Sequence, residues 1–168
     1  MRTSHAGRPT RLALAGIAAL LASCLAVAPA SAAKKLRFFS KQVSSSLTDA
    51  SGNPITNPNT PPAAGDRFVV TDLDYVGNHR HHAKRWTASD HFACTFTTPP
   101  AAICSGQIAI AGSMLFSDNV PLDFANPSAT VTVPITGGTG RYRGAKGTVT
   151  SVSVGKTNNS NLTITLTG

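Results

Sequence analysis

Glutamate is absent from this chain, and aromatic residues make up only 6% of it. No stretch after the first 32 residues keeps an apolar period of 3.6 residues, which argues against amphipathic helices. What is present is a polar-apolar alternation in segments rich in Thr, Val and Ser, separated by Gly, Pro and Asn. Alternation of this kind predicts short strands joined by turns.

A membrane-spanning run is also lacking. The segment Leu12–Ala33 is mostly alanine and contains serine and proline, whereas a span needs about 20 strongly apolar residues. Arg2, Arg8 and Arg11 precede it, and the small residues Ala30–Ala32 end it. This layout predicts a secretory signal over residues 1–32, cleaved before Ala33, and a secreted domain over residues 33–168.

A competing interpretation concerns Cys24. The string Leu21–Cys24 also fits the bacterial lipoprotein box, in which the cysteine is lipidated and tethers the protein to the cell surface. The apolar run continues through Leu25–Ala28 instead of turning polar, which favours soluble release. Both forms of export stay open at this point.

Cysteine is scarce in the exported part, where only Cys94 and Cys104 remain. An even count in an exported protein predicts a disulfide. The two residues flank Thr97–Ala101 and are equidistant from Pro99, so they would face each other across a hairpin. The alternative is a free, reactive Cys94.

The alternating segments predict an all-β domain of eight strands. Eight is the strand number at which an antiparallel barrel encloses its own side chains or one small ligand. A polar segment, Ser44–Gly65, is predicted to be a long loop. The predicted strands are Lys35–Val43, Asp66–Val76, Arg85–Thr97, Ile103–Ser117, Asn119–Phe124, Ser128–Thr136, Thr148–Lys156 and Asn161–Thr167.

The most specific string is Ile135–Gly147, which holds the glycine-rich run Gly-Gly-Thr-Gly and two further glycines, Gly144 and Gly147. It resembles the signature shared by dirigent proteins and allene oxide cyclases. Weaker matches follow in the same order along the chain, at Gly65–Phe68, Thr71–Tyr75, His91–Cys94 and Ile108–Ser113.

This resemblance implies an eight-stranded antiparallel calycin-like β-barrel that is often a trimer, so a homo-oligomer is expected. It also implies a small apolar or phenolic ligand inside the barrel, whose cyclisation or coupling the protein steers. Such chemistry, of the isomerase type, needs neither a metal nor an organic cofactor.

The chain departs from the cyclase pattern at three places. It has no glutamate for the first strand, and Met114 stands where the cyclases have a tyrosine. The cysteine of the cyclases corresponds to Cys94, whose thiol would be used up in the predicted disulfide. These departures argue against plant-type allene oxide cyclase activity. Asp72 stands where the cyclases use an asparagine, and it suits the dirigent branch better.

Asp72 and Asp74 are the candidate catalytic residues. They are two apart on a predicted strand, so they share one face, and Phe68 and Val70 precede them there. In apolar surroundings one carboxyl would hold a proton for a developing oxyanion while the other accepts a proton. The alternative is a pair that faces water or pairs with a cation.

Four further residues are candidate ligand contacts. Trp86 and Phe92 fall on one face of the third predicted strand, where they would suit an aromatic ligand. Met114 is a candidate by its place in the family pattern. Arg143, in the glycine-rich segment, either anchors a ligand oxygen or closes the barrel end.

The run His79–Arg85 is the most basic segment. His79 and His81 have a metal-like spacing, but no acid or cysteine stands close in sequence, so a solvated basic turn is the better interpretation and no metal site is expected. The same run suits contact with an anionic surface. Interleaved aromatic residues are missing, so no specific nucleic-acid binding is predicted.

Two functional hypotheses follow. The first is an exported barrel that binds a small apolar or phenolic molecule and steers its ring closure or coupling, as a cofactor-independent isomerase. The second is a non-catalytic barrel that carries such a ligand or acts as an interaction module of the cell envelope. The sequence leaves both open.

Overall fold

The computed structural model describes residues 33–125 and 130–167. The secretory signal and the lipid-attachment site at Cys24 lie outside the described residues. The strands are β1 (Lys34–Thr48), β2 (Arg67–Val76), β3 (Ala88–Thr98), β4 (Ala101–Ile110), β5 (Ser113–Asp123), β6 (Thr130–Ile135), β7 (Gly137–Gly138), β8 (Gly147–Ser153) and β9 (Ser160–Leu166). One short 3₁₀ helix covers Gly140–Tyr142.

The strands form one antiparallel sheet in the order β6-β8-β9-β1-β2-β3-β4-β5-β7. The sheet curls until its two sides meet. Ser117 Oγ on β5 donates to the carbonyl of Pro134 on β6 at 2.7 Å, and the Thr136 amide donates to the Phe116 carbonyl at 2.9 Å. The predicted all-β antiparallel barrel is confirmed; the ninth strand is the two-residue β7.

Antiparallel order gives the barrel two ends with different connections. The lower end carries the start of β1, the connections β2–β3 and β4–β5, and the segment from β6 to β8. The upper end carries the connections β1–β2, β3–β4, β5–β6 and β8–β9. These names are kept below.

Several predicted boundaries differ from the structure; the predicted strand Asn119–Phe124, for example, belongs to the second half of β5. The predicted strand Ile103–Ser117 is a hairpin, because Ala111 and Gly112 adopt φ of 46° and 74° and turn the chain between β4 and β5. Strand β1 runs on to Thr48 across an irregularity at Gln42–Ser44, so the predicted loop begins later than expected.

The core is divided between the two ends. At the lower end, Phe38, Ile110, Ile135, Tyr142 and Ile164 belong to one buried apolar cluster that closes the barrel. At the upper end, a second cluster forms around the disulfide. Burial of these apolar side chains is the main stabilising contribution to such a domain.

The predicted disulfide is confirmed. Cys94 on β3 and Cys104 on β4 are directly opposite in the register and are bonded at 2.04 Å. Both side chains point into the barrel and are buried, with Phe96 and Ala102 beside them. The bridge therefore belongs to the interior of the barrel.

The glycine-rich segment makes the lower end compact. A Cβ on Gly138 would lie 2.5 Å from the Tyr142 carbonyl oxygen and 2.6 Å from that of Met114. Gly147 has φ of +140°, and a Cβ there would collide with the Thr165 carbonyl oxygen. Only glycine allows the backbone to approach so closely at these positions.

Among the described residues, no helix has the length and apolar character needed to cross a bilayer.

Candidate functional site

The predicted acid pair points into the barrel. Asp72 and Asp74 lie on β2 and alternate with outward-facing residues, so both side chains face the interior. Asp74 is fully buried, with 0% of its surface exposed, and Asp72 is half-buried. The structure therefore places both carboxyls inside the barrel.

A third carboxyl, Asp90 on β3, joins them. In the register between β2 and β3, Asp72 is opposite Asp90 and Asp74 is opposite Ala88. By alternation along β3, Asp90 lies on the same face as Phe92 and Cys94. That it stands directly opposite Asp72 depends on the register between two strands, which alternation within one strand does not fix.

The three carboxyls share very few hydrogen-bond donors. The hydroxyl of Ser40 on β1 lies 3.0 Å from Asp90 Oδ2 and 3.3 Å from Asp72 Oδ2, and its single proton serves both. Among the described residues, Asp72 Oδ1 and both oxygens of Asp74 have no hydrogen-bond partner. A fully ionised cluster would be costly because it leaves these buried oxygens unpaired.

Burial and mutual repulsion therefore keep protons on this cluster. Burial raises the pKa of Asp72 to about 7, and the neighbouring Asp90 carboxylate adds to the shift. Burial also raises the pKa of Asp90 to about 7, with Asp74 as the second cause. These carboxyls thus titrate close to neutral pH instead of near pH 4.

Asp74 is coupled to Asp90. Burial raises the pKa of Asp74 to about 6; the nearby Ser40 hydroxyl and the Asp90 carboxyl lower it, and the charge of Asp72 adds to the rise. Asp90 in turn titrates higher because of the neighbouring Asp74. The pair therefore titrates as a unit that shares protons.

Asp72 and Asp90 form the polar floor of an internal cavity of about 260 Å³. The remaining wall is mostly apolar and comes from strands on every side of the barrel. Its side chains include Phe92, Ile108, Leu115, Val133, Val149 and Leu162. Asp74 does not line the cavity; it lies behind the other two acids.

The cavity opens toward the upper end. Val131, at the upper start of β6, lines it and is 37% exposed, and Leu122 and Phe124 near the end of β5 are half-buried. The lower end is closed by the apolar cluster around Phe38 and Ile164. The carboxyls of Asp72 and Asp90 therefore lie away from this opening.

Of the four predicted ligand contacts, one lines the cavity and three lie outside it. Phe92 lines the cavity, but Trp86, Met114 and Arg143 do not. Trp86 precedes β3 and is exposed, because the strand begins at Ala88 and alternation does not extend back to residue 86. Met114 points outward between the inward-facing Ser113 and Leu115.

Arg143 is exposed at the lower end, just after the 3₁₀ helix. It lies on the far side of the buried lower cluster from the cavity. The two predicted roles of Arg143 were to anchor a ligand oxygen or to close the barrel end. Its exposed position, away from the cavity, fits only the second role.

The histidine run forms a surface turn. His79 and His81 are exposed in the β2–β3 connection. Over residues 33–125 and 130–167, no group of three or more His, Cys, Asp or Glu side chains has the geometry of a metal site.

Comparison with known proteins gives a structural answer. No protein-family model and no curated protein matches the sequence. Among solved structures, a pyocyanin demethylase superposes with a TM-score of 0.58 at 25% identity, covering 80% of this chain and 100% of that one.

Two pterocarpan synthase dirigent proteins also match. PsPTS1 gives a TM-score of 0.55 at 15% identity, covering 82% of this chain and 94% of its own. GePTS1 gives 0.53 at 16% identity, covering 80% and 82%. At such low identity these two matches concern the fold alone. The fold is that of the dirigent and allene oxide cyclase-like barrels, as the glycine-rich segment implied.

Proposed function

We propose that this barrel binds a small, largely apolar molecule that carries a carbonyl or phenolic oxygen, and that it steers cyclisation of that molecule in the cavity. The observation that carries the proposal is the pair Asp72 and Asp90 at the floor of a mostly apolar cavity. An apolar enclosure with a few convergent polar groups is typical of small-molecule sites. The fold supports the proposal, since the similar structures include dirigent proteins.

The paired pKa values near 7 suit acid–base work at neutral pH, where one carboxyl is protonated and the other ionised. In ring closure of a hydroxylated quinone methide, the substrate hydroxyl oxygen forms a bond to the methide carbon. One carboxyl gives its proton to the carbonyl oxygen, and the other accepts the hydroxyl proton. The step is an isomerisation, so it needs no oxidant and no cofactor.

Asp72 and Asp90 are the residues placed for this work. Asp74, which the sequence paired with Asp72, acts from behind the cavity as a positioning residue that shares a proton with Asp90. Ser40 orients the two cavity carboxyls through its hydroxyl.

Export is part of the proposal. A disulfide in the core suits an oxidising compartment. The chain is proposed to be secreted after cleavage before Ala33, or alternatively to be held at the cell surface by a lipid on Cys24. Mass spectrometry of the exported chain distinguishes the two by its new N-terminus.

Binding is tested with 1-tetralone, a bicyclic ketone, against tetralin, which lacks the oxygen. A protonated carboxyl donates to the ketone and an ionised one does not, so tetralone affinity is expected to fall about tenfold from pH 5 to pH 9, with a midpoint near 7. Tetralin affinity is expected to stay constant. Calorimetric titration at each pH measures both.

The matched variants are Asp72→Asn with Asp90→Asn, and Asp123→Asn as a control on the surface of β5. An amide donates at every pH, so the double variant is expected to bind tetralone without pH dependence, while the control keeps the native profile. An unchanged pH profile in the double variant would sink the proposed role of the carboxyls.

Catalysis is separated from mere binding by the products. A hydroxylated quinone methide closes in water without help and gives a racemic product. The barrel is expected to enrich one enantiomer of that product, and the double variant is expected to lose the enrichment. Tetralone binding combined with a racemic product would instead establish the second candidate, a ligand carrier. The missing glutamate, and Met114 in the place of the tyrosine of the cyclases, are what favour that alternative.

A further inference from the structure

The lysines and arginines of this barrel are concentrated at its lower end. Residues 34–37, 80–85 and 141–146 hold three each, all of them exposed. They come from the start of β1, the β2–β3 connection and the segment that leads into β8. Only Lys41, Arg67 and Lys156 lie elsewhere among the described residues.

One exposed carboxylate comes near this charge: Asp118 accepts a hydrogen bond from Thr136 Oγ1 at 3.0 Å, and Lys146 Nζ donates to the Thr136 carbonyl at 3.2 Å. The chain has seven Asp and Glu residues in all, and every one is an aspartate within residues 49–123. None lies in a connection of the lower end. Asp72, Asp74 and Asp90 face the interior, and Asp66 is buried at the upper end. With nine exposed cations and one nearby carboxylate, the lower end is a surface of strongly positive net charge.

Apolar side chains accompany these cations. Trp86 is 55% exposed and Val76 is 53% exposed, and both flank the basic part of the β2–β3 connection. Exposed tryptophan beside lysine and arginine is typical of protein surfaces that sit in the headgroup region of a bilayer.

The basic connection is held in place against the barrel wall. The His82 ring stacks on Phe39 at 4.9 Å, and the His79 amide donates to Asn161 Oδ1 at 2.7 Å. The Asn78 and His81 backbones bond to each other across the turn. The cations of this connection are thus presented from a fixed position, which lowers the entropy cost of binding.

We propose that the lower end docks on an anionic lipid bilayer. Nine cations supply the electrostatic attraction, and Trp86 and Val76 enter the interfacial region. The cavity opens at the opposite end, so a docked barrel keeps its mouth toward solvent. Strand β1 also begins at this lower end, with Lys34.

Trp86 is the single tryptophan of the chain, so its fluorescence reports docking directly. The whole chain is titrated with vesicles of 30% phosphatidylglycerol in phosphatidylcholine, and with pure phosphatidylcholine. A blue shift and co-sedimentation are expected with the anionic vesicles alone, and both are expected to weaken as salt is raised from 0.05 to 0.5 M.

The test variant is Arg80→Gln with Lys84→Gln and Arg85→Gln. Its matched control is Lys41→Gln with Arg67→Gln and Lys156→Gln, which removes the same charge from elsewhere. Both keep residues 1–32, so any contribution of that segment is equal. Affinity for anionic vesicles is expected to fall about tenfold or more in the first variant and to stay within about twofold of native in the second.

Three results would overturn the proposal. The first is equal loss of affinity in both variants, which indicates net charge alone. The second is native affinity in the first variant. The third is a Trp86 shift with heparin and none with anionic vesicles, which assigns the surface to an acidic polysaccharide. Circular dichroism of both variants confirms that the barrel is folded in each comparison.

Discussion

Asp74 shows how strongly burial controls a single carboxyl in this barrel. Its oxygens have no donor among the described residues when its neighbours are ionised, and burial raises its pKa to about 6. A folded-state pKa above the unfolded value of 3.8 means that the folded chain binds the proton more tightly. The stability that depends on this group is therefore greatest below about pH 4, and it is lost as the pH rises from there through about 6.

Asp74→Asn tests this linkage. The amide cannot ionise, so the variant is expected to be more stable than the native chain at pH 8 by about 2 kcal/mol and equal to it near pH 4. Urea unfolding at the two pH values measures the difference. Asp123→Asn, on the surface, is expected to leave both values unchanged. An Asp74→Asn variant that is less stable at pH 8 would contradict the assigned cost of ionisation.

The same residues show what sequence can predict of a site. Alternation along β2 was enough to place Asp72 and Asp74 on one face. It could not show that Asp74 lies behind the cavity while Asp90 lines it, because strand tilt and the β2–β3 register decide depth. The site is thus a cluster of three carboxyls, of which the sequence singled out Asp72 and Asp74 but not Asp90.

At the scale of elements, turns decide where alternation holds. Met114 was assigned to a strand that ran through residue 112, but the positive φ of Ala111 and Gly112 reverses the chain there. Beyond the turn, Leu115 points inward and Met114 outward. Trp86 precedes the first residue of β3, so alternation along that strand does not determine where its side chain points.

The β3–β4 hairpin is the element that the sequence predicted best. The equal distance of Cys94 and Cys104 from Pro99 matches a register in which the two residues are opposite each other. The bridge closes a separation of 10 residues. Closing such a loop restricts the unfolded chain and stabilises the fold by about 3 kcal/mol in the chain-entropy model.

Cys94→Ser with Cys104→Ser is accordingly expected to lower the free energy of unfolding by about 3 kcal/mol. The loss should match that of the native chain treated with a reducing agent, and the agent should have no further effect on the variant. Denaturant unfolding with and without reductant measures both. If the variant and the oxidised native chain unfold at the same midpoint, the bridge is not stabilising the barrel.

At the scale of the whole molecule, the residues that pack the core and the space that could hold a ligand lie in different parts of the barrel. The lower cluster and the disulfide cluster supply the core, and the cavity of about 260 Å³ lies between the strands above the acids. A side chain that fills part of the cavity should therefore block a ligand without removing core contacts.

Ser151 and Val152 are neighbours on β8 that test this separation. Ser151 lines the cavity, whereas Val152 is exposed on the outside. Ser151→Phe is expected to reduce tetralone affinity more than tenfold while the melting temperature stays within about 3 °C of native, because it fills space without creating a void. Val152→Phe is expected to change neither. Equal tetralone binding in both variants would place the ligand outside the cavity.

The fold as a whole was largely predictable, because alternation and turn chemistry are local and the glycine-rich segment carries a family signature. The closure between β5 and β6 and the cavity itself were not, since both arise from contacts between residues far apart in the chain. The concentration of cations at the lower end also required the topology, which brings residues 34–37, 80–85 and 141–146 to one end.

The position of Cys104 on the cavity wall has a consequence for where this protein can work safely. Oxidised, the sulfur presents an inert surface to whatever occupies the cavity. In a reducing compartment the same wall would hold a nucleophilic thiol a few ångströms from the bound molecule, and an electrophile such as an epoxide or a quinone methide would alkylate it. If the proposed function holds, the bridge removes a thiol that an electrophilic ligand would attack, so the redox state of the surroundings limits which ligands the cavity can hold.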